Sequence, residues 1–200
     1  MSTPQDSLHL DARALKVLAH PLRSRLLSQL RVNGPATATE LAAALGTNSG
    51  ATSYHLRELE GVGLVKDTGE GQGRRREWAA ATSSHSWNDS ELRDTPDARA
   101  ALNWLGQHYA YQFAEQMQRW NEAKDAWGDE WVDVFGLSDS FVTVTPEQAR
   151  ELHAELDAVL ARYREAGAGD PRAVRSQVHV HLAPLDPFAV PGAPGSQDAP

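Results

Sequence analysis

The sequence predicts an α+β, mostly helical chain, and three observations carry that prediction. Four short segments before residue 62 repeat their apolar residues at helical spacing, two strand-like runs follow around a glycine-rich loop, and a much longer apolar stripe begins after Pro96. The 200 residues, 40% hydrophobic and 23% charged, suit two small cores better than one large one. The expected organisation is an amino-terminal domain over residues 10–82, a linker over 83–95, and a helical, α+β dimerisation and effector region over 96–186. Disorder is expected at residues 1–9 and in the Pro, Gly, Ala and Ser tail over 187–200.

The first helix starts near Leu10 with Asp11 at its head. It carries Ala14, Leu15, Leu18 and Ala19 inward and stops at His20-Pro21, because the residue before proline disfavours helical geometry. Pro21 suits the first turn of a second helix, whose stripe of Leu22, Leu26, Leu27 and Leu30 ends at Asn33-Gly34-Pro35. Thr37 followed by Glu40 is a capping box for a short third helix, TELAAALG, which Gly46 closes. Asn48 caps a fourth. Its Thr52, Leu56 and Leu59 face inward with Val62, which leaves Ser49, Gly50, Ser53, Tyr54 and Arg57 outward.

The runs LVKD and RRREWAA are strand-like, joined by TGEGQG, and Trp78 anchors the second against the helices. Thr95-Pro96 opens a long helix from about Asp97 to Trp127, roughly 45 Å at about 1.5 Å per residue. Its stripe holds Leu102, Leu105, Tyr109, Phe113, Met117, Trp120 and Trp127. Beyond it SFVTVT is expected as a strand, PEQARELHAELDAVLARYREA as a helix capped by Thr145, and VRSQVHVHLAPL as a second strand.

Composition excludes several functions. With no cysteine there is no disulfide, no thiolate metal site and no cysteine nucleophile. No apolar stretch approaches the roughly 20 residues of a membrane span, and MSTPQDSLHL lacks the basic and apolar regions of a signal peptide, so a cytoplasmic protein without a membrane partner is expected. There is no glycine-rich phosphate loop after a strand, no His-Glu-x-x-His and no nucleophile elbow, so neither an enzyme nor a cofactor is expected. The net charge of −8 is unevenly spread: residues 1–90 hold ten basic and nine acidic side chains, leaving nine and eighteen of the chain's 19 and 27 for the rest. The acidity belongs to the second half, and a basic face in the first stays open.

Three short helices, a capped helix with a polar outward face and an arginine-rich hairpin are the parts of a winged helix-turn-helix. A major groove about 12 Å wide admits one helix, whose early residues reach base edges. Ser49, Gly50 and Ser53 let the backbone approach, Tyr54 reaches a base or phosphate, and Arg57 suits a two-pronged contact to guanine. Residues 10 to 80 resemble the ArsR-like bacterial transcriptional regulators through HPLRSRLLSQL, ATELAAALG, NSGATSYHLRELEGVGLV and GQGRRREW. The rest is similar, more loosely, to the long helix and α/β tail of some members, through WNEAKDAWGDEW and TPEQARELHAEL. The resemblance implies a homodimer that binds an inverted repeat in double-stranded DNA and represses transcription. The metal-sensing members' cysteine pair has no counterpart in ATELAAAL.

The DNA-contact candidates are therefore Arg23, Asn48, Ser49, Gly50, Ser53, Tyr54, His55, Arg57, Arg74, Arg75 and Arg76. His55 borders the inward face and suits packing as well as base contact. Arg23 suits a carboxylate as well as a phosphate, and Arg74 to Arg76 suit gatekeeping of a hairpin edge as well as phosphate binding. Trp104, Tyr109, Phe113, Trp120 and Trp131 are candidates for an apolar effector pocket, or for core and dimer interface. His179 and His181 share a strand face but, with His153 and Asp186 distant, form no metal site by expectation. The alternative from another class is a winged-helix protein-interaction module that never reads DNA.

Overall fold

The structure is a computed structural model that describes residues 7–71, 73 and 75–191. It divides into two compact units, Met1–Arg119 and Trp120–Pro200. In the first, β1 (Ser7–His9) leads to α1 (Ala12–Leu18), α2 (Pro21–Asn33), β2 (Ala36–Thr37), α3 (Ala38–Leu45) and α4 (Ser49–Glu60). The hairpin β3 (Val65–Asp67) and β4 (Glu77–Ala80) follows, then β5 (Ser84–Ser86), α5 (Asp89–Leu92) and α6 (Pro96–Ala123), whose last residues enter the second unit. β2 and β3 flank β4 in an antiparallel sheet, with Ala36 opposite Trp78 and Val65 opposite Ala80.

Asp11, Thr37 and Asn48 start the helices expected of them, and α2 is started by His20, a cap the sequence reading did not assign. The Asp11, Asn48 and Thr37 side chains accept from Ala14, Ala51 and Glu40 N–H groups, and His20 Nδ1 accepts from Leu22 N–H at 3.2 Å. Glu40 completes the capping box by accepting from Thr37 N–H at 2.8 Å. Gly46, left-handed at φ 64°, closes α3. The core is continuous: Leu15, Leu18, Leu26, Leu56, Leu59 and Leu64 are fully buried, with Trp78 of β4 sealing one side. Burial of each leucine stabilises the unit by about 1.5–3 kcal/mol, and this holds α4 at a fixed angle to its neighbours.

Two expectations for this unit are corrected. Residues 7–9 are not disordered: β1 pairs in parallel with β5, Leu8 opposite His85, and Leu10 N–H donates to Ser86 O at 2.8 Å. Residues 83–95 are likewise not a bare linker, because β5 and α5 lie there and Leu92 is buried. A single buried leucine among serines leaves no periodicity to read. Residues 1–6 and 192–200, assigned to disordered ends, lie outside the described residues.

In the second unit α6 ends at Ala123 in a 3-10 turn over Lys124–Ala126, four residues before the expected Trp127. Trp127 has extended backbone there and meets Trp120 edge-on at 5.7 Å. Then come α7 (Asp129–Val132) and α8 (Pro146–Tyr163), started by the Thr145 capping box with Gln148. The strands expected at SFVTVT and VRSQVHVHLAPL are absent: among the described residues neither segment belongs to a sheet. A strand exists only when a neighbour takes its backbone hydrogen bonds, and among the described residues no strand pairs with either segment.

Candidate nucleic-acid interface

α4 is amphipathic by construction. Thr52, Leu56 and Leu59 are completely buried, and Thr52 also donates its hydroxyl to Asn48 O at 3.0 Å, fixing the first turn. Ser49, Gly50, Tyr54 and Arg57 are exposed, and Ser53 is half-buried on the same side. This face forms one wall of a shallow depression of about 220 Å³, whose other walls are the start of α3 at Thr37, Ala38 and Thr39 and the hairpin at Arg75, Arg76 and Trp78. Three elements separated in sequence thus offer hydroxyls and guanidinium groups to one concave surface. The loop that brings the hairpin round depends on Gly71, where any side chain would collide with the Arg75 carbonyl.

The cations sort into two kinds. Arg57 and Arg75 are exposed and carry no salt bridge among the described residues. Arg76 is held instead by Asp67 at 3.4 Å and Glu60 at 3.8 Å, with its guanidinium 5.8 Å from the centre of the Trp78 ring. Arg23 turns back to the end of α1, donating to the Val17 and Lys16 carbonyls, and burial lowers its pKa. It terminates a helix where phosphate binding was one expectation. Arg74 lies outside the described residues.

His55 packs against His20, ring centres 4.6 Å apart, and meets Tyr54 edge-on at 5.2 Å. Burial, then the nearby Arg23 charge, lowers the pKa of both imidazoles, and their mutual repulsion lowers His20 further. The His55 ring is thus a packing element under the exposed Tyr54. Asn48 is committed to its cap. Thr37 and Thr39, which sequence reasoning passed over, line the depression beside Ser49. The signal for them was available, since in this motif the helix before the recognition helix crosses the phosphates.

The five effector candidates are divided between the two units. Tyr109 belongs to a half-buried network: Arg31 Nη1 donates to His85 Nδ1 at 2.7 Å, and His85 Nε2 donates to Tyr109 Oη at 2.8 Å. Arg31 Nε also donates to Thr82 O at 3.1 Å. Burial first, then the Arg31 charge, brings the His85 pKa down to about 3, while burial pushes the Tyr109 phenol up to about 12. Trp87 stacks on both rings, and Trp104 stacks on His108 at 4.7 Å. Trp120 and Trp131 pack instead with Trp127 and Phe135 in the second unit. Phe113 lies in the part of α6 that belongs to the first unit. Among the described residues no group of three His, Asp or Glu is placed to hold a metal ion, and no helix is long and apolar enough to cross a membrane.

Residues 18–68 match the family described as a helix-turn-helix domain. The HTH-type transcriptional regulator NmtR of Mycobacterium tuberculosis is 48% identical over 54 residues, 27% of this chain and 44% of that protein, so the match spans less than half the relative's length. Among solved structures, the chain is similar to the homodimeric winged helix-turn-helix DNA-binding domain Mb0332 of Mycobacterium bovis, a possible ArsR-family transcriptional regulator. That likeness has 27% identity, covers 50% of this chain and 78% of the other, and has a TM-score of 0.33. RV1404 of Mycobacterium tuberculosis is 17% identical, covering 80% and 86%, with a TM-score of 0.31. α2 to α4, the polar face of α4 and β3 fall where the family match lies, and β4 just after it: residues 18–68 are similar to a helix-turn-helix domain, and the β3–β4 hairpin follows α4 as a wing.

Proposed function

We propose that this chain is a sequence-specific DNA-binding transcriptional regulator, a dimeric repressor that acts on an inverted-repeat operator. One observation carries the reading: the outward face of α4, the start of α3 and Arg75 of the wing share one concave surface. α4 enters the major groove, with Ser49, Gly50 and Ser53 allowing close approach and Tyr54 and Arg57 reaching base edges. Arg75 takes a phosphate. Two copies related by a two-fold axis would read half-sites about 34 Å apart. The acidic second half limits attachment to random DNA by repulsion.

Footprinting on the promoter next to the chain's own gene tests this. Two protected segments one helical turn apart are expected. No protection on any promoter fragment, with a tight protein partner in its place, would establish the interaction-module alternative. For the signal we favour an apolar organic molecule at the Trp120 and Trp131 cluster, because the Tyr109 hydroxyl is already occupied by His85. Ligand-driven release of the operator that persists unchanged in Trp131→Leu would overturn that assignment.

A further inference from the structure

The chain from Ser138 to Leu185 has the local signals of a folded module and no core. α8 is started by a full capping box and places Ala149, Leu152, Leu156 and Leu160 along one side, yet none of its residues is buried. The flanking segments, Ser140–Thr145 and Val174–Leu185, alternate apolar residues with period two, as in Val178, Val180 and Leu182, and all three of these are exposed. Neither segment is in a sheet among the described residues. They are also almost free of charge: the first carries none and the second only Arg175, in a half of the chain with eighteen acidic side chains. Uncharged, alternating edges of this kind aggregate unless they are paired.

Resting on the dimeric reading above, we infer that these two segments and α8 are half of an α+β layer that a second copy of this chain completes. Two segments and a helix from each copy make a four-stranded sheet covered on one face by two helices. Four strands is within the ordinary size of a sheet, whereas a two-stranded fragment is marginal. A two-fold axis is self-complementary, so an edge with this alternation meets the same alternation in its copy and the assembly closes. Apolar side chains are well exposed along both segments and at the end of α8. Phe141 and Tyr163, 73% and 71% exposed, present on the order of 300 Å² together, given about 150–250 Å² for a whole aromatic side chain. Val142, Val144, Val178, Val180 and Leu182 bring the total toward the roughly 800 Å² per partner of a stable interface. The acids of the unit lie outside both segments and do not oppose their pairing.

The test uses the full chain. In sedimentation velocity at micromolar concentration the native protein is expected to be a dimer. Val178→Asp with Val180→Asp should raise its dissociation constant at least about a hundredfold, because the dimer would bury two carboxylates per copy. Both valines are exposed in the single chain, so the far-UV circular dichroism of the amino-terminal unit should survive. Hydrogen exchange on the unaltered protein needs no variant: the amides of Gln177 to His181 should be protected at dimeric concentration and lose that protection on dilution. A monomeric native chain, a variant that dimerises as tightly, or amides that exchange equally fast at both concentrations would overturn the inference. So would a monomer that pairs these segments only with a different protein. Binding to a duplex with one half-site, measured in parallel, separates the two readings: its absence in the native protein removes DNA reading and leaves the sheet standing.

Discussion

Two helices of this chain open on the same hydrogen bonds. Thr37 and Thr145 each accept from the N–H three residues on, and Glu40 and Gln148 each reach back to the cap's own N–H. α3 then buries Leu41 and Ala42 against α4, whereas the apolar stripe of α8 is no more than half-buried. The same contrast holds across the two units, since every buried hydrophobic residue lies in the first and none among the described residues in the second. Capping starts a helix, but most of its stability comes from what its apolar face meets. The first unit has a buried core of its own, and the second shows none among the described residues.

The largest expected effect sharpens that contrast at matched leucines. Leu56→Ala empties a fully buried position and should cost about 2–5 kcal/mol in urea unfolding, at any protein concentration. Leu156→Ala, in the half-buried stripe of α8, should leave the unfolding midpoint of the amino-terminal unit unchanged in dilute protein. Equal destabilisation by the two would mean that α8 has a core within the single chain.

Next in size is the reading of DNA, which should depend on the first unit. Arg57→Ala is expected to lose about 1–3 kcal/mol of discrimination at one position of each half-site. Arg75→Ala should weaken every sequence alike and lower the salt slope by about one per subunit. Arg76→Ala should change both less, because its guanidinium already faces Asp67 and Glu60. Fluorescence anisotropy with operator and random duplexes across salt measures all three, and a uniform loss for Arg57→Ala would count against base reading.

The His85 network gives a pH signature confined to the first unit. His85 has a pKa of about 3 in the folded chain against an ordinary value of 6.5. Between those values the unfolded state binds the extra proton, so stability is complete above about pH 6.5 and declines as pH falls toward 3. Relative to His85→Gln, the native chain should lose about 2 kcal/mol between pH 7 and pH 5. His20, His55 and His108 shift in the same direction, and the subtraction removes them. Parallel slopes for the two proteins would show that His85 is protonated without penalty.

What could be read in advance follows the same division. Local chemistry is legible, so Asp11, Thr37, Asn48 and Thr145 start the helices expected of them, and Thr52, Leu56 and Leu59 face inward. Long-range pairing is not. Ser84 to Ser86 is a polar tripeptide whose strand exists because Leu8 lies opposite His85, and nothing in either segment announces the other. Arg23 and Arg76 look like phosphate ligands in sequence, and only the fold reveals the carbonyls and carboxylates that engage them. The segments SFVTVT and VRSQVHVHLAPL err the other way: their alternation is legible, and among the described residues neither is paired into a sheet.

The smallest expected effect is the one that tests the opening comparison most directly, because it alters the same atom in the same motif. Thr37→Ala removes the hydroxyl that accepts from Glu40 N–H at 3.3 Å and donates to its carboxylate at 2.7 Å. A lost cap of this kind costs about 1 kcal/mol, and α3 is part of the cooperative core, so the unfolding midpoint should fall at every concentration. Thr145→Ala removes the matching bond, from Gln148 N–H at 3.3 Å. That helix belongs to the other unit, so the same midpoint is expected not to move. If a second copy completes the layer, the loss appears in association: about 1 kcal/mol from each copy weakens the dimer about thirtyfold. Urea unfolding followed by circular dichroism and sedimentation at graded concentration read the two quantities separately. A fall in the amino-terminal midpoint for Thr145→Ala equal to that for Thr37→Ala would mean that the two helices share one core and that the contrast between the units is wrong.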